Sequence, residues 1–414
     1  MSAFDLVAIL LVLTAVFGWL NHVVIGLPHS IGLLVMGLVS SLILIGVEIA
    51  LPDVSLYEDL RRLLRQIDFQ EAVLNGMLAF LLFAGALHVN LAVLKSRAWA
   101  VGLMATVGVL ISTSVVGVGF WWLSAVFGVA VPFAWALVFG ALISPTDPVA
   151  VLSTLKSVSV PKTLEADMAG ESLFNDGVGV VIFTFIVAIA AAATGGVDVA
   201  EVGRLFVVEA LGGAILGLIS GYVAYRATRA IDDYPIETLI SLALAMGTYA
   251  LASKLHMSGP IAVVVAGILI GNRGPRDAMS DETQRHLFSF WTLVDEVLNS
   301  VLFLLIGLEV LVLSFDRSFL WPAIAVIPLV LLARFLAVSI PILTLRSRID
   351  FVKGTIPILT WGGLRGGISI ALALSLPSVA EKPILLAATY AAVVFTIVVQ
   401  GLTLKAVVKR FSGA

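Results

Sequence analysis

Apolar runs of about 17–25 residues, the length that spans a bilayer as a helix, recur along almost the whole chain. They lie near 4–20, 30–50, 70–92, 98–123, 132–154, 167–194, 203–225, 235–254, 258–271, 287–313, 319–343, 354–377 and 383–404. The pattern predicts about thirteen transmembrane helices, the ninth short enough to be half-buried or broken. The segments between them are mostly short. The first run, Phe4 to Leu20, lacks a basic leader and a clear small-residue cleavage site, so it reads as a retained span rather than a signal peptide.

Two of these runs carry helix-breaking residues in their interior. Span five contains Ser144-Pro145-Thr146-Asp147-Pro148. Proline has no amide hydrogen and pushes the residue before it away from helical dihedrals, and both Ser144 and Asp147 precede a proline. Span twelve contains Trp361-Gly362-Gly363-Leu364-Arg365-Gly366-Gly367, in which glycines weaken the helix around an Arg. A proline kink or close glycine packing explains neither the Asp nor the Arg. The two interrupted spans are seven apart, which predicts an inverted repeat of spans one to six and eight to thirteen about a linker span. Broken helices in corresponding positions are where secondary transporters bind substrate and ions. Half-helix ends carry partial charges, positive at N-termini and negative at C-termini. Asp147 therefore suits two roles, cation ligand or dipole compensator.

Composition sharpens the class. Hydrophobic residues make up 60% of the 414 and charged ones only 12%, against about 25% charged in ordinary soluble domains. A soluble core of this length does not absorb that much apolar surface; lipid does. The net charge of -3 provides no basic field for nucleic acid. With no cysteine, a disulfide framework and a thiolate metal site are excluded. No phosphate-binding glycine motif is present and no cofactor is expected.

Charge also orients the chain. Of its 24 Lys and Arg, fifteen fall in the odd-numbered loops and the C-terminus and seven in the even-numbered loops, with Arg334 and Arg365 inside spans. The positive-inside rule then puts the C-terminus in the cytoplasm and the N-terminus outside. The stretch 53–69 has three Arg among four acids, and this near balance predicts an interfacial helix.

The candidate chemistry sits in span six, Glu171-Ser172-Leu173-Phe174-Asn175-Asp176. Spacings of four stack Glu171 with Asn175 and Ser172 with Asp176 on one helix face. Two carboxylates, a hydroxyl and an amide supply the oxygen ligands that a hard cation needs. A charge at the bilayer centre costs about 2.5–3.5 kcal/mol, so Asp147, Glu171, Asp176 and Arg365 must pair or face water. Arg365 neutralises one carboxylate, and Glu171 is assigned to it as half of a structural ion pair. What remains is a negative site that attracts cations and protons. Asn175 also suits a purely interhelical hydrogen bond.

These motifs resemble the NhaP type of monovalent cation:proton antiporter, relatives of the animal sodium–proton exchangers. The matching pieces are Thr146-Asp147-Pro148, Glu171 to Gly177, Leu298-Asn299-Ser300 with Leu302-Phe303, and Gly363-Leu364-Arg365-Gly366-Gly367, and the resemblance covers nearly the whole chain. It implies a thirteen-span fold with crossed, unwound fifth and twelfth helices. It also implies a homodimer in the cell (inner) membrane with a role in pH homeostasis. A moving core of about 98–194 and 319–410 would work against a dimerisation scaffold of about 1–92 and 203–313. By position Asp176 would be the transport carboxylate, with Thr146, Asp147, Ser172 and Asn175 around it and Glu171–Arg365 as the buried structural pair. Asn175 groups the chain with members that look electroneutral. One departure is Phe83-Ala84-Gly85-Ala86-Leu87 in span three, where relatives often carry an acid.

The implied mechanism is competition. Asp176 holds either a dehydrated sodium (or lithium) ion or a proton, and only the neutralised site crosses easily, because a bare buried charge pays a large desolvation cost. Potassium–proton exchange keeps the same chemistry with a different cavity. A passive cation channel shares the acidic site but needs a continuous polar pore and no proton coupling. An intramembrane aspartyl hydrolase built on Asp147 and Asp176 leaves Arg365 and Asn175 without roles, and no enzymatic activity is expected.

Overall fold

The computed structural model describes residues 3–50, 76–147, 161–192, 199–311 and 317–412. Every regular element among them is helical. The helices are α1 (Ala3–Leu20), α2 (His29–Ala50), α3 (Leu78–Leu87), α4 (Leu91–Val126), α5 (Phe133–Leu142), α6 (Lys162–Ala192) and α7 (Val199–Thr228). They continue with α8 (Tyr234–Lys254), α9 (Gly259–Asp277), α10 (Asp281–Glu309), α11 (Leu320–Leu345), α12 (Thr355–Trp361), α13 (Gly367–Leu374) and α14 (Lys382–Phe411). Among the described residues nine helices are long and apolar enough to cross a membrane, and α3 and α5 are shorter apolar helices. The protein is thus a multi-pass, all-helical membrane protein. The expected interfacial helix at 53–69 and the second half of span five lie outside the described residues.

Local sequence sets the helix ends. Asn90, Asp233, Ser258 and Ser280 each cap a helix, their side-chain oxygens accepting backbone N–H groups of the first turn. The Asn90 cap moves one predicted boundary. Span three ends near residue 88, and Lys95 and Arg97, which the predicted spans 70–92 and 98–123 leave in a loop, lie inside α4. At 36 residues α4 is about 54 Å long, well beyond the hydrocarbon core, so its first turns reach the interface. His88 and Asn90 have structural partners. His88 bonds the Ala84 carbonyl (2.8 Å) and Thr292 (3.2 Å). Trp121, Trp122 and Trp321 stand exposed near helix ends, as interfacial anchors do.

Two apolar clusters carry the packing. One joins α4, α5, α6 and α11 to α14 with the ends of α2 and α10. The other joins α3, α7, α8, α9 and the first half of α10 around the fully buried Trp291. Gly213, Gly217 and Gly221, spaced by four, let α7 lie directly on the backbone of α9. Helix α6 belongs to both clusters. Met168, Ile182 and Phe183 face the first and Leu173 the second. Its polar face therefore lies along the seam.

At both predicted breaks a helix ends among the described residues. Helix α5 stops at Leu142, and Ser144 to Asp147 are non-helical. Ser144 Oγ donates to the Gly140 carbonyl (2.6 Å), and Pro145 offers no amide to continue the ladder. Residues 362–366 separate α12 from α13. The two interruptions touch, with the Asp147 amide donating to the Leu364 carbonyl at 2.8 Å.

Candidate ion site

The site forms where the two interruptions meet the polar face of α6. Thr146 is held from both sides. Its amide donates to Asn175 Oδ1 (3.2 Å) and its Oγ1 accepts from Asn175 Nδ2 (2.8 Å). Ser172 Oγ donates to the Thr146 carbonyl. Thr146, Ser172 and Asn175 thus form one hydrogen-bonded unit, placed by the one-turn stacking of α6 and the proline-broken chain opposite. Asp176 lies on the next residue, 6% exposed.

Arg365 occupies the negative end of α5. Its Nη1 donates to the Ser144 carbonyl and to the Pro145 carbonyl (2.9 Å), where a cation offsets the dipole of the half-helix. Its own amide donates to Thr396 Oγ1 (3.0 Å), which fixes the break against α14. Asp147 lies at the opposite kind of end. A Cβ added at Gly366, the residue that caps α13, would collide with the Asp147 side chain. Its carboxylate therefore sits against the positive terminus of α13. Asp147 and Arg365 thus lie at helix ends of opposite sign.

The structural ion pair is different from the one expected. Glu171 is bound by Arg334, not by Arg365. Arg334 Nη1 donates to Glu171 Oε1 and Nη2 to Oε2 (2.9 Å). Arg334 also donates to the Leu359 carbonyl at the end of α12 through Nε (3.1 Å) and Nη2 (3.0 Å). The physical reason is position. Helix α11 packs on α4 and α12, and its long Arg334 side chain reaches Glu171 from there, while the guanidinium of Arg365 is turned onto the Ser144 and Pro145 carbonyls past the end of α5. Gly363 makes room, since a Cβ there would overlap the Arg334 side chain.

A second clamp went unread in the sequence. Arg97 on α4 donates to Asp167 through Nε (2.8 Å) and Nη2 (2.5 Å) and to the Asp350 carbonyl through Nη1 (2.9 Å), with its guanidinium 4.6 Å from the Phe351 ring centroid. The signal was available. Asp167 is one turn before Glu171 on the same face of α6, so it needed a cation for the same reason. Of the three buried acids on α6, Asp167 and Glu171 each take a two-pronged Arg. Asp176 takes none, and no described side chain or amide donates to it. No group of three or more His, Cys, Asp or Glu that suits a tightly held metal occurs among the described residues.

The span-ten motif is used locally. Asn299 Nδ2 donates to Asp295 (2.8 Å to the carbonyl), and Ser300 meets His29 of α2 at 2.8 Å.

The family profile described as "Sodium/hydrogen exchanger, transmembrane" matches residues 9–410. The chain belongs to that family. Within the exchanger family it is similar to the Na(+)/H(+) antiporter NhaP of Pseudomonas aeruginosa, 46% identical over 411 residues that cover 98% of this chain and 96% of the relative. It is also similar to the Na(+)/H(+) antiporter NhaH of Halobacillus dabanensis, 36% identical over 380 residues, 89% of this chain and 91% of that one. Among solved structures, the sodium proton antiporter MjNhaP1 of Methanocaldococcus jannaschii superposes with a TM-score of 0.77 across the whole of both chains at 19% identity, a likeness of fold. The NhaP-type resemblance drawn from the four motifs is thereby shown.

Proposed function

We propose that this exchanger moves sodium (or lithium) in one direction and a proton in the other, one for one, through Asp176. The observation that carries the reading is the unclamped state of Asp176. Its two buried neighbours on α6 are each neutralised by a bidentate Arg, while no described side chain or amide donates to Asp176, which is buried one turn beyond Ser172. A buried carboxylate with no cation of its own binds one from solution or takes up a proton. Thr146, Ser172 and Asp147 complete the ligand set, Asp147 also holding the positive end of α13. Asn175 positions Thr146. The single exchanging carboxylate supports electroneutral exchange, and relatives named as Na(+)/H(+) antiporters support sodium.

The same proposal takes the thirteen-span arrangement with crossed, unwound fifth and twelfth spans, the core of about 98–194 and 319–410 moving against a scaffold of about 1–92 and 203–313, and a homodimer. It places the chain in the inner membrane, N-terminus outside and C-terminus in the cytoplasm, from the Lys and Arg distribution. Neutralising the site by either ion lets the core move without carrying a bare charge through the seam.

The test is exchange in liposomes with an acidic lumen, a pH dye and the membrane potential clamped. Sodium or lithium added outside is expected to dissipate the gradient, and the rate is expected to ignore the potential. Equal rates with potassium would change the ion and keep the mechanism. A rate that follows the potential would remove the one-for-one stoichiometry.

Gly366 provides a local test in the same liposomes. A methyl there meets Asp147, and overpacking of this kind costs about 1–3 kcal/mol. Gly366→Ala is expected to fold, to melt a few degrees lower and to exchange at least tenfold more slowly. Wild-type exchange by this variant would place Asp147 outside the site.

A further inference from the structure

A small cavity lies between α4, the end of α5, α6, α11 and the break at 362–366, lined among others by Met104, Ser112, Ser144, Asn175, Arg334 and Arg365. The space it offers to a water-sized body is about 10 Å³, close to one water molecule. Three buried polar atoms on its lining residues, Ser112 Oγ, Arg365 Nε and Arg365 Nη2, have no hydrogen-bond partner among the described residues. Ser112 is 3% exposed and Arg365 1%. Donors of a buried guanidinium are costly to leave unmade, and native interiors satisfy them with protein or ordered water. Helix α4 widens into a π-type turn at Met104–Gly108, on the wall of this cavity. Such turns recur at functional positions.

We infer that this cavity is a built hydration site for Arg365. One ordered water accepts from Nε–H and Nη2–H of Arg365 and donates to Ser112 Oγ, which gives it three polar partners. Two guanidinium groups and one carboxylate, the Glu171 already held by Arg334, line the space, so its net charge is positive and disfavours a cation, and an anion larger than water does not fit. The site lies outside the ion ligands Asp176, Thr146 and Ser172, and it stands whether or not the chain exchanges sodium.

Its role follows from what it does for the Arg. Nη1 is satisfied by the Ser144 and Pro145 carbonyls. With Nε–H and one Nη2–H on water, four of the five guanidinium N–H groups are bonded without any carboxylate. Asp176 lies within electrostatic reach of Arg365 and stays available to the transported ion. Ser112 is thus a positioning residue. It acts through the water on Arg365, and through Arg365 on the affinity of the site. This second step rests on the proposed function.

X-ray hydroxyl-radical footprinting reads the water directly, because irradiation of a bound water releases the radical beside its neighbours. Met104 lines the cavity at 1% exposure, and Met168, at 5% exposure, lines it nowhere and serves as the internal control. Met104 is expected to oxidise severalfold faster than Met168. Valine and threonine have the same shape and differ in the hydroxyl, so Ser112→Val and Ser112→Thr are compared. Ser112→Thr is expected to keep the labelling. Ser112→Val is expected to lose it and to raise the sodium KM severalfold over Ser112→Thr at a similar maximal rate, as Arg365 turns to a carboxylate. Labelling of Met104 no faster than Met168, or unchanged in Ser112→Val, overturns the hydration site. Lost labelling with equal sodium KM in the two variants overturns the positioning role. Footprinting needs no transport, so its failure is distinct from failure of the antiport reading.

Discussion

Arg334→Gln is expected to destabilise the folded protein by about 3–5 kcal/mol, the cost of stranding one member of a buried ion pair. Both oxygens of Glu171 are held by Arg334, and the side chains are only 3% and 7% exposed. The loss also frees the Leu359 carbonyl at the end of α12, so the break beside Arg365 loses a support. The check is thermal melting in detergent, followed by size-exclusion fluorescence. Two further variants decide the partner. Glu171→Gln combined with Arg334→Gln is expected to recover much of the loss, since neither charge is then stranded. Glu171→Gln combined with Arg365→Gln is expected to be close to additive, because Arg365 bonds backbone carbonyls instead. Strong coupling of Glu171 to Arg365 and weak coupling to Arg334 would reverse this assignment.

Asp176→Asn is expected to abolish exchange of sodium and lithium while the protein remains at least as stable as wild type. The two parts of that expectation have one origin. Asp176 is bonded to no Arg or Lys among the described residues, so neutralising it breaks no ion pair and removes a charge that is costly in the membrane. With a neutral amide the site can neither hold a proton nor compensate a cation. Stable and silent is the signature sought in the liposome assay, with melting measured on the same preparation. Glu171→Gln is the contrast, because it removes half of a pair and should lower stability. A fully active Asp176→Asn would place the transport carboxylate elsewhere. An inactive but badly destabilised one would mean that Asp176 is structural.

Much of the site was legible because membrane burial makes polar residues conspicuous. An Asp between two prolines, an Arg among four glycines and a stacked row of oxygens on α6 stand out in apolar runs. Each implies a partner, since lipid supplies none. The breaks were legible for a covalent reason, as proline and glycine act through their own backbone. The identity of each partner was harder. Arg334 was visible as a charge inside span eleven, yet two interior arginines competed for Glu171, and nothing local to either sequence segment separates them. Hydropathy alone leaves Arg97 between two spans, because the Asn90 cap that starts α4 early and carries Arg97 into it is a local hydrogen-bond signal that hydropathy does not read.

The sequence by itself determined the solvent of this protein, its helices and their interruptions, and the residues that must be paired. All of these follow from hydropathy, backbone chemistry and the cost of a charge in lipid, which act within one segment. The tertiary structure decided who pairs with whom. Only the packing of α11 on α4 and α12 brings Arg334 to Glu171, only the approach of α4 brings Arg97 to Asp167, and only the contact of the two breaks turns Arg365 onto the end of α5 and Asp147 onto the start of α13. Asp176 is left unclamped by the sum of those placements. That outcome belongs to no segment, because it depends on where every neighbouring cation has already been used.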